Sequence, residues 1–85
     1  MKRIIETDEA EGLEALLGER VTLFCLNYIY TGKLTGVNAT FAKLEGAAIV
    51  YETGPLNDTI WRDAQALPNA WYVQLSAIES FGILK

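Results

Sequence analysis

Two glycines, Gly32 and Gly36, stand four residues apart inside a run of strand-forming residues, and no other feature constrains the chain as much. Gly32, Leu34 and Gly36 fall on one face of a strand while Lys33, Thr35 and Val37 fall on the other, the period of a half-buried strand. Glycine inside a strand marks a bend or a close backbone approach. Two on one strand therefore predict a sheet curled into a small barrel. The strand leads through Val37 and Asn38 into a turn of small residues, and a second apolar run follows over Ala47, Ala48, Ile49, Val50 and Tyr51. Glu45 and Gly46 form either a bulge within that third strand or a turn before it.

The remaining segments surround this bent strand. Thr7 or Asp8 can cap a helix, with Glu11 three residues after Asp8 completing a capping box. Ala10, Leu13, Leu16 and Leu17 then recur at helical spacing, and Gly18 follows as a stop. The spacing predicts a short α-helix over about residues 8–17, too short to persist alone in water, so its leucines must lie against the sheet. Val21 to Leu26 are β-branched or apolar, and Asn27 is the one turn former before Tyr28, Ile29, Tyr30 and Thr31, which predicts a hairpin. Near-continuous apolarity in the first strand implies cover on both faces. A polar insert spans about residues 54–69, with a run from Thr59 to Leu67 that fits helix or strand equally. Trp71 to Leu75 and Glu79 to Leu84 supply two closing strands around a tight turn at Ser76, Ala77 and Ile78. Residues 1–85 read as one domain, with barrel strands over about residues 21–84.

With 85 residues, such a domain buries only roughly 60–65% of the surface its unfolded form exposes. A 51% apolar content is too rich for disorder and slightly more than so small a core absorbs, so apolar surface is left for a partner, most simply a second copy. The net charge is −4, and Glu6, Asp8, Glu9, Glu11, Glu14 and Glu19 precede the first strand, so the acidity is local. Seven dispersed Lys and Arg do not make the broad basic field that non-specific nucleic-acid binding needs. Any nucleic-acid contact must be short-range and confined to one face. Cys25 is the single cysteine, which excludes an intrachain disulfide, suits a reducing compartment, and reads as a small buried hydrophobe. Charge returns at Glu6 after Ile4 and Ile5, which leaves room for neither a signal-peptide core nor a membrane span, so the expectation is a cytoplasmic protein.

Chemistry of the catalytic kind is sparse. No histidine is present, one cysteine cannot build a zinc cluster, and the glycines lie within a strand, where they cannot cradle phosphate at a helix start. No carboxylate pair sits in a recognisable motif, so the expectation is a non-enzyme without catalytic residues, metal or cofactor. Aromatic residues carry the sharper readings. Phe41, on the loop after the bent strand, is either core or a stacking platform for a base. Tyr28, Tyr30, Tyr51 and Tyr72 read as barrel or interface residues and Trp71 as core, while Trp61 is either a hook onto a neighbour or a cap over the barrel's open end.

A helix, five strands with a bent second strand, and a short turn before the last strand together resemble the Sm/LSm family over about residues 13–81. Gly18 is similar to the family's glycine between helix and first strand. In the first Sm motif an aromatic precedes a glycine by two positions, a second glycine follows after three residues, and an apolar residue and an aspartate come next; Tyr30, Gly32, Gly36, Val37 and Asn38 fill those places. Asn38 keeps an acceptor that can brace the loop. The family's Met and base-reading Asn fall on Phe41 and Ala42 without a gap, whereas a loop one residue shorter puts Phe41 at the Asn. Of the second motif, Val73, Gln74, Leu75, Ser76, Ala77 and Ile78 keep the apolar ends, and Gln74 stands where the family has its arginine.

The resemblance implies a mainly β fold, a small, strongly bent five-stranded antiparallel barrel with a short N-terminal α-helix. It also implies a homo-oligomeric ring, for which about five to eight copies are expected, closed by pairing the fourth strand of one subunit with the fifth of the next. Trp71, Val73, Leu75, Phe81 and Ile83 are the expected interface residues. Single-stranded RNA, or DNA, would bind at pore-side loops through Asn38, Phe41, Lys43, Gln74 and Ser76. The competing expectation is a structural or protein-interaction ring of the same fold without nucleic acid, which the acidity and the missing Asn and Arg favour.

Overall fold

The computed structural model describes residues 12–57 and 61–84. A single 3-10 turn, Leu13–Leu16, precedes six antiparallel strands: β1 Arg20–Cys25, β2 Ile29–Val37, β3 Phe41–Glu52, β4 Asp63–Ala66, β5 Trp71–Gln74 and β6 Ile78–Gly82. A second 3-10 turn, Leu75–Ala77, joins β5 to β6. The fold is mainly β, as expected, but among the described residues the strand count is six where five were expected. Of the helix expected over 8–17, residues 8–11 lie outside the described residues, and the described part is this 3-10 turn. Leu13 and Leu16 nevertheless pack against the core, whereas Leu17, expected on the same stripe, is exposed. Among the described residues no helix is long and apolar enough to cross a membrane.

The sheet runs β4-β3-β2-β1-β6, with β5 also on β3. The sixth strand does not add a sixth position. β5 pairs with the first third of β3 (Phe41↔Gln74 to Leu44↔Trp71) and β4 with its second half (Ala48↔Ala66 to Glu52↔Asp63). Between the pairs Leu44↔Trp71 and Ala48↔Ala66, β3 spends residues 45–47 and its partner residues 67–70, a one-residue excess. β4 and β5 are thus one antiparallel partner of β3, interrupted at Pro68 and Asn69, where proline cannot donate to a ladder. Leu67 N still donates to the Ala47 carbonyl at 2.8 Å, holding the break against β3.

The expected bend is present, and it belongs to two strands. Between the pairs Thr31↔Ala48 and Lys33↔Glu45, the lone residue Gly32 faces both Gly46 and Ala47. Gly46 has φ 58°, the left-handed conformation of a bulge glycine, which decides the open question in favour of a bulge within one long β3. Arg20 Nη1 donates to the Gly46 carbonyl at 3.2 Å and holds the bulge from β1. At Gly32 a Cβ would stand 3.0 Å from Ala47 Cα and 3.2 Å from Leu44 Cβ, so only hydrogen fits there without displacement. Gly36 differs, since a Cβ there would make ordinary contact at 3.6 Å with Lys43.

The core is small: Val21, Leu23, Leu34, Ala42, Leu44, Ala47 and Val73, with Tyr30, Val37, Leu67, Leu75 and Ile78 packed against it. Val21, Thr22 and Leu23 are all fully buried, so β1 is covered on both faces there, but the helix expected to cover one of them lies in part outside the described residues and its described turn lies against β2. Thr31, opposite Thr22, satisfies its hydroxyl by donating to the Val21 carbonyl at 3.0 Å. Trp71, expected in the core, is instead 38% exposed at the start of an edge strand.

Adding a methyl group at Gly32 forces β2 off β3, and overpacking of this kind costs about 1–3 kcal/mol. Gly32→Ala is expected to lower the melting temperature by about 5–20 °C, measured by circular dichroism, while Gly36→Ala changes stability by less than about 1 kcal/mol. Equal losses at the two positions would contradict the close approach at Gly32.

Candidate nucleic-acid interface

The loop after β2 is built around one amide. Asn38 Oδ1 accepts from the backbone N–H of Thr40 at 2.7 Å and of Phe41 at 2.8 Å. Asn38 N in turn donates to the Phe41 carbonyl at 3.0 Å, which closes the turn into β3. An acceptor at this position satisfies two donors that a short loop leaves without strand partners. Asn38 therefore shapes the loop, the bracing role that its acceptor suggested.

Phe41 is half-buried and begins β3 directly opposite Gln74, the last residue of β5. Lys43 stands opposite Tyr72. Directly opposed residues project to the same side of a sheet. Ala42 and Leu44 point into the core, so Phe41, Lys43, Tyr72 and Gln74 share the outer face. There the rings of Phe41 and Tyr72 meet edge to face, with centroids 5.2 Å apart and planes at 86°. Leu75 N donates to the Thr40 carbonyl at 2.9 Å, which ties the turn carrying exposed Ser76 to the same loop. Four of the five expected binding residues thus gather through one loop and one strand pair, and Ser76 is carried to the same corner by its turn.

Tyr72 is the addition. It read as a barrel or interface residue, yet it is 55% exposed and completes the aromatic pair. Only the Lys43↔Tyr72 register places it there, and that register depends on the break at Pro68 and Asn69. Lys43 is half-buried and supplies the face with its cation, whereas Lys33 is paired across the sheet with Glu45. The expected interface residues divide differently. Trp71, Phe81 and Ile83 are exposed, whereas Val73 is 5% exposed within the core cluster and Leu75 packs on that cluster. Trp61 is half-buried. Among the described residues no group of His, Cys, Asp and Glu could hold a metal ion.

A second aromatic pair lies at the other end of β2 and β3. Tyr28 and Tyr51 meet edge to face with centroids 5.6 Å apart. Burial raises the pKa of nearby Tyr30, and Cys25, Tyr28 and Tyr51 push it further in the same direction. Burial likewise raises the Cys25 thiol, which is half-buried against the core. Both groups hold their protons more tightly folded than unfolded. Their contribution is complete below the ionisation range of the unfolded groups and is lost as pH rises through it.

Comparisons with family models, with curated proteins and with solved structures return no match to this chain.

Two outcomes test this geometry. Asn38→Ala should cost about 1–2 kcal/mol and remove hydrogen-exchange protection at Thr40 and Phe41, while Asn38→Asp keeps both acceptors and the protection. The urea midpoint should fall between pH 7 and about pH 10, and by less in Tyr30→Phe. A midpoint that rises with pH over this range would contradict the raised tyrosine and thiol.

Proposed function

We propose that this chain is a ring-forming Sm-like protein that binds single-stranded nucleic acid, RNA above DNA, at the corner formed by the Asn38 loop and the Leu75–Ala77 turn. The observation that carries the reading is the braced loop itself, which presents Phe41 beside Gln74 and Tyr72 with Lys43 on the same face. An aromatic ring held in place by a neighbour can serve as a platform for stacking, worth about 1–3 kcal/mol per base and indifferent to sequence. Gln74 and Ser76 supply hydrogen-bond donors and acceptors to base edges, and Lys43 supplies one cation per subunit for phosphate.

Ring formation is supported by the edges. If β4 and β5 count as one broken strand, the sheet has five positions, as the resemblance implies, and among the described residues β5 and β6 each carry an edge without a strand partner. Exposed strand edges are covered or used, and Trp71, Phe81 and Ile83 add exposed apolar surface beside them. β5 of one copy against β6 of the next is the pairing we propose. The reading without nucleic acid, a structural ring, is favoured by the net charge of −4 and by Gln74 in the place of an arginine.

Labelled uridine-rich and adenine-rich oligonucleotides, titrated at low and physiological salt, decide between the two. With about one phosphate contact per subunit, a ring of about five to eight copies should give a slope of log K against log salt of roughly −3.5 to −5.6. Phe41→Ala should weaken binding by roughly tenfold or more, and Trp61→Ala by much less. Absence of binding at low salt would leave the structural ring as the reading, and equal losses in the two variants would move the site away from Phe41.

A further inference from the structure

Asn38 has more hydrogen-bonding capacity than its loop uses. The backbone N–H groups of Thr40 and Phe41 both donate to its side chain, at 2.7 and 2.8 Å, and two N–H donors can meet only the amide oxygen, so the position of Oδ1 is fixed by its partners. An amide oxygen has two lone pairs, and both are taken. What the exposed side chain has left is Nδ2, whose two N–H donors meet no acceptor among the described residues. The brace itself does not call for an amide. An aspartate would accept the same two bonds, and bonds to an ionised acceptor are roughly twice as strong. What asparagine adds to this corner is a pair of solvent-facing donors and the absence of a negative charge. Those donors are tied to the stacking ring: Asn38 N donates to the Phe41 carbonyl at 3.0 Å while Oδ1 accepts from Phe41 N, so Asn38 is clamped to the Phe41 backbone by main chain and side chain alike. Lys43, next on the same face of β3, stands about 7 Å further along the strand.

We infer that Asn38 is a direct binding residue as well as a brace, and that its Nδ2 donates to a phosphate oxygen of the strand whose base stacks on Phe41. This rests on the nucleic-acid reading proposed above and names the part of the ligand that the residue holds. A phosphodiester offers only acceptors, which matches a side chain reduced to donors, and asparagine is among the side chains that contact phosphate in nucleic-acid complexes. Charge points the same way. The chain carries −4, and Lys43 is the cation placed on this face, so a carboxylate at position 38 would repel the phosphate that Lys43 attracts. Gln74, opposite Phe41, is likewise a neutral amide. The corner therefore holds a sugar-phosphate backbone through one cation and neutral donors, a means by which an acidic chain binds an anion without a broad basic field. Two backbone bonds already fix the Asn38 amide, so little side-chain freedom is lost when the phosphate arrives.

Binding of a labelled oligouridylate, and of the same oligomer with neutral methylphosphonate linkages, to the full chain tests the inference, with hydrogen exchange reporting on the loop. Asn38→Asp should keep the protection of Thr40 and Phe41, because both acceptors remain, yet weaken binding of the natural oligomer at least tenfold. That loss should persist as salt rises, since a missing donor is not screened, whereas Ala39→Asp, which adds the same charge one residue away, should lose less and recover in salt. On the methylphosphonate oligomer the Asn38→Asp penalty should shrink to about threefold or less. In the wild type the Asn38 Nδ2 proton resonances should shift and gain exchange protection on binding, a readout that needs no variant. An Asn38→Asp chain that binds as tightly as the wild type would overturn the inference and leave the site at Phe41 standing, and an equal penalty on both oligomers would move the donor to a base edge and overturn the phosphate assignment. A wild-type chain that binds neither oligomer would overturn the nucleic-acid reading itself, and the inference with it.

Discussion

The contact between Gly32 and the Gly46–Ala47 bulge is the constraint from which the rest of the fold follows. One residue of β2 faces two of β3 there, with the Gly32 backbone so close to Ala47 that a side chain would collide. A bulge raises local twist and bends the strand that carries it. The bend lets β3 serve two short partners along one edge, β5 before the bulge and β4 after it. It also places Ala42, Leu44 and Ala47 on the inside of the curve, where small and medium side chains fill a narrow core. Arg20 reaches across β2 from β1 to the Gly46 carbonyl, so the bulge is held by a side chain as well as by its own ladder.

How much of this was legible depends on whether a feature belongs to one strand or to two. The hairpin at Asn27 is a property of a single segment and stands as read, whereas the period-two pattern of β2 holds only as far as Leu34: the register shifts between Leu34 and Gly36, so Gly36 lies opposite outward-facing Lys43 and Val37, expected on the other face from Leu34, packs on the core. A bulge is a property of a pair. The two glycines of β2 looked equivalent in sequence, but only Gly32 faces the doubled residues, and its counterpart is Gly46 on the next strand. β4 is the clearest case of tertiary context overriding local preference. Asp63, Ala64, Gln65 and Ala66 are poor strand formers and all exposed, so no periodicity announces them. They are extended because β3 offers an unpaired edge at that point. Trp71 was misplaced for a related reason, because its exposure follows from an edge position that the sequence does not state.

The candidate site was more legible than the fold around it, since Asn38, Phe41 and Lys43 lie within six residues and local geometry joins the first two. Gln74 and Ser76 entered through the resemblance, and the β3–β5 register brings Gln74 against Phe41. Tyr72 read as a barrel or interface residue, and its contact with Phe41 was not legible, because it follows from the β3–β5 register that sets Lys43 opposite Tyr72 and Phe41 opposite Gln74 on the same face. Val73 shows the converse, an edge-strand residue whose alternation turns it into the core and away from any neighbour.

Tyr72 links the two surfaces proposed for this chain. Its ring meets that of Phe41 in the loop corner, and its strand carries an edge that has no strand partner among the described residues, the border that the proposed ring would use. A side chain shared between a binding surface and an assembly surface makes the two equilibria interdependent. In the proposed ring, pairing β5 with a neighbour would restrict Tyr72 and with it Phe41, so that part of the ordering cost of presenting a stacking platform would be met before a base arrives. Linkage would require the converse to the same degree: a base held on Phe41 would favour the assembled form. In a domain with so small a core, such coupling would place much of the order of the site in the assembly, where the single chain has least of its own to contribute.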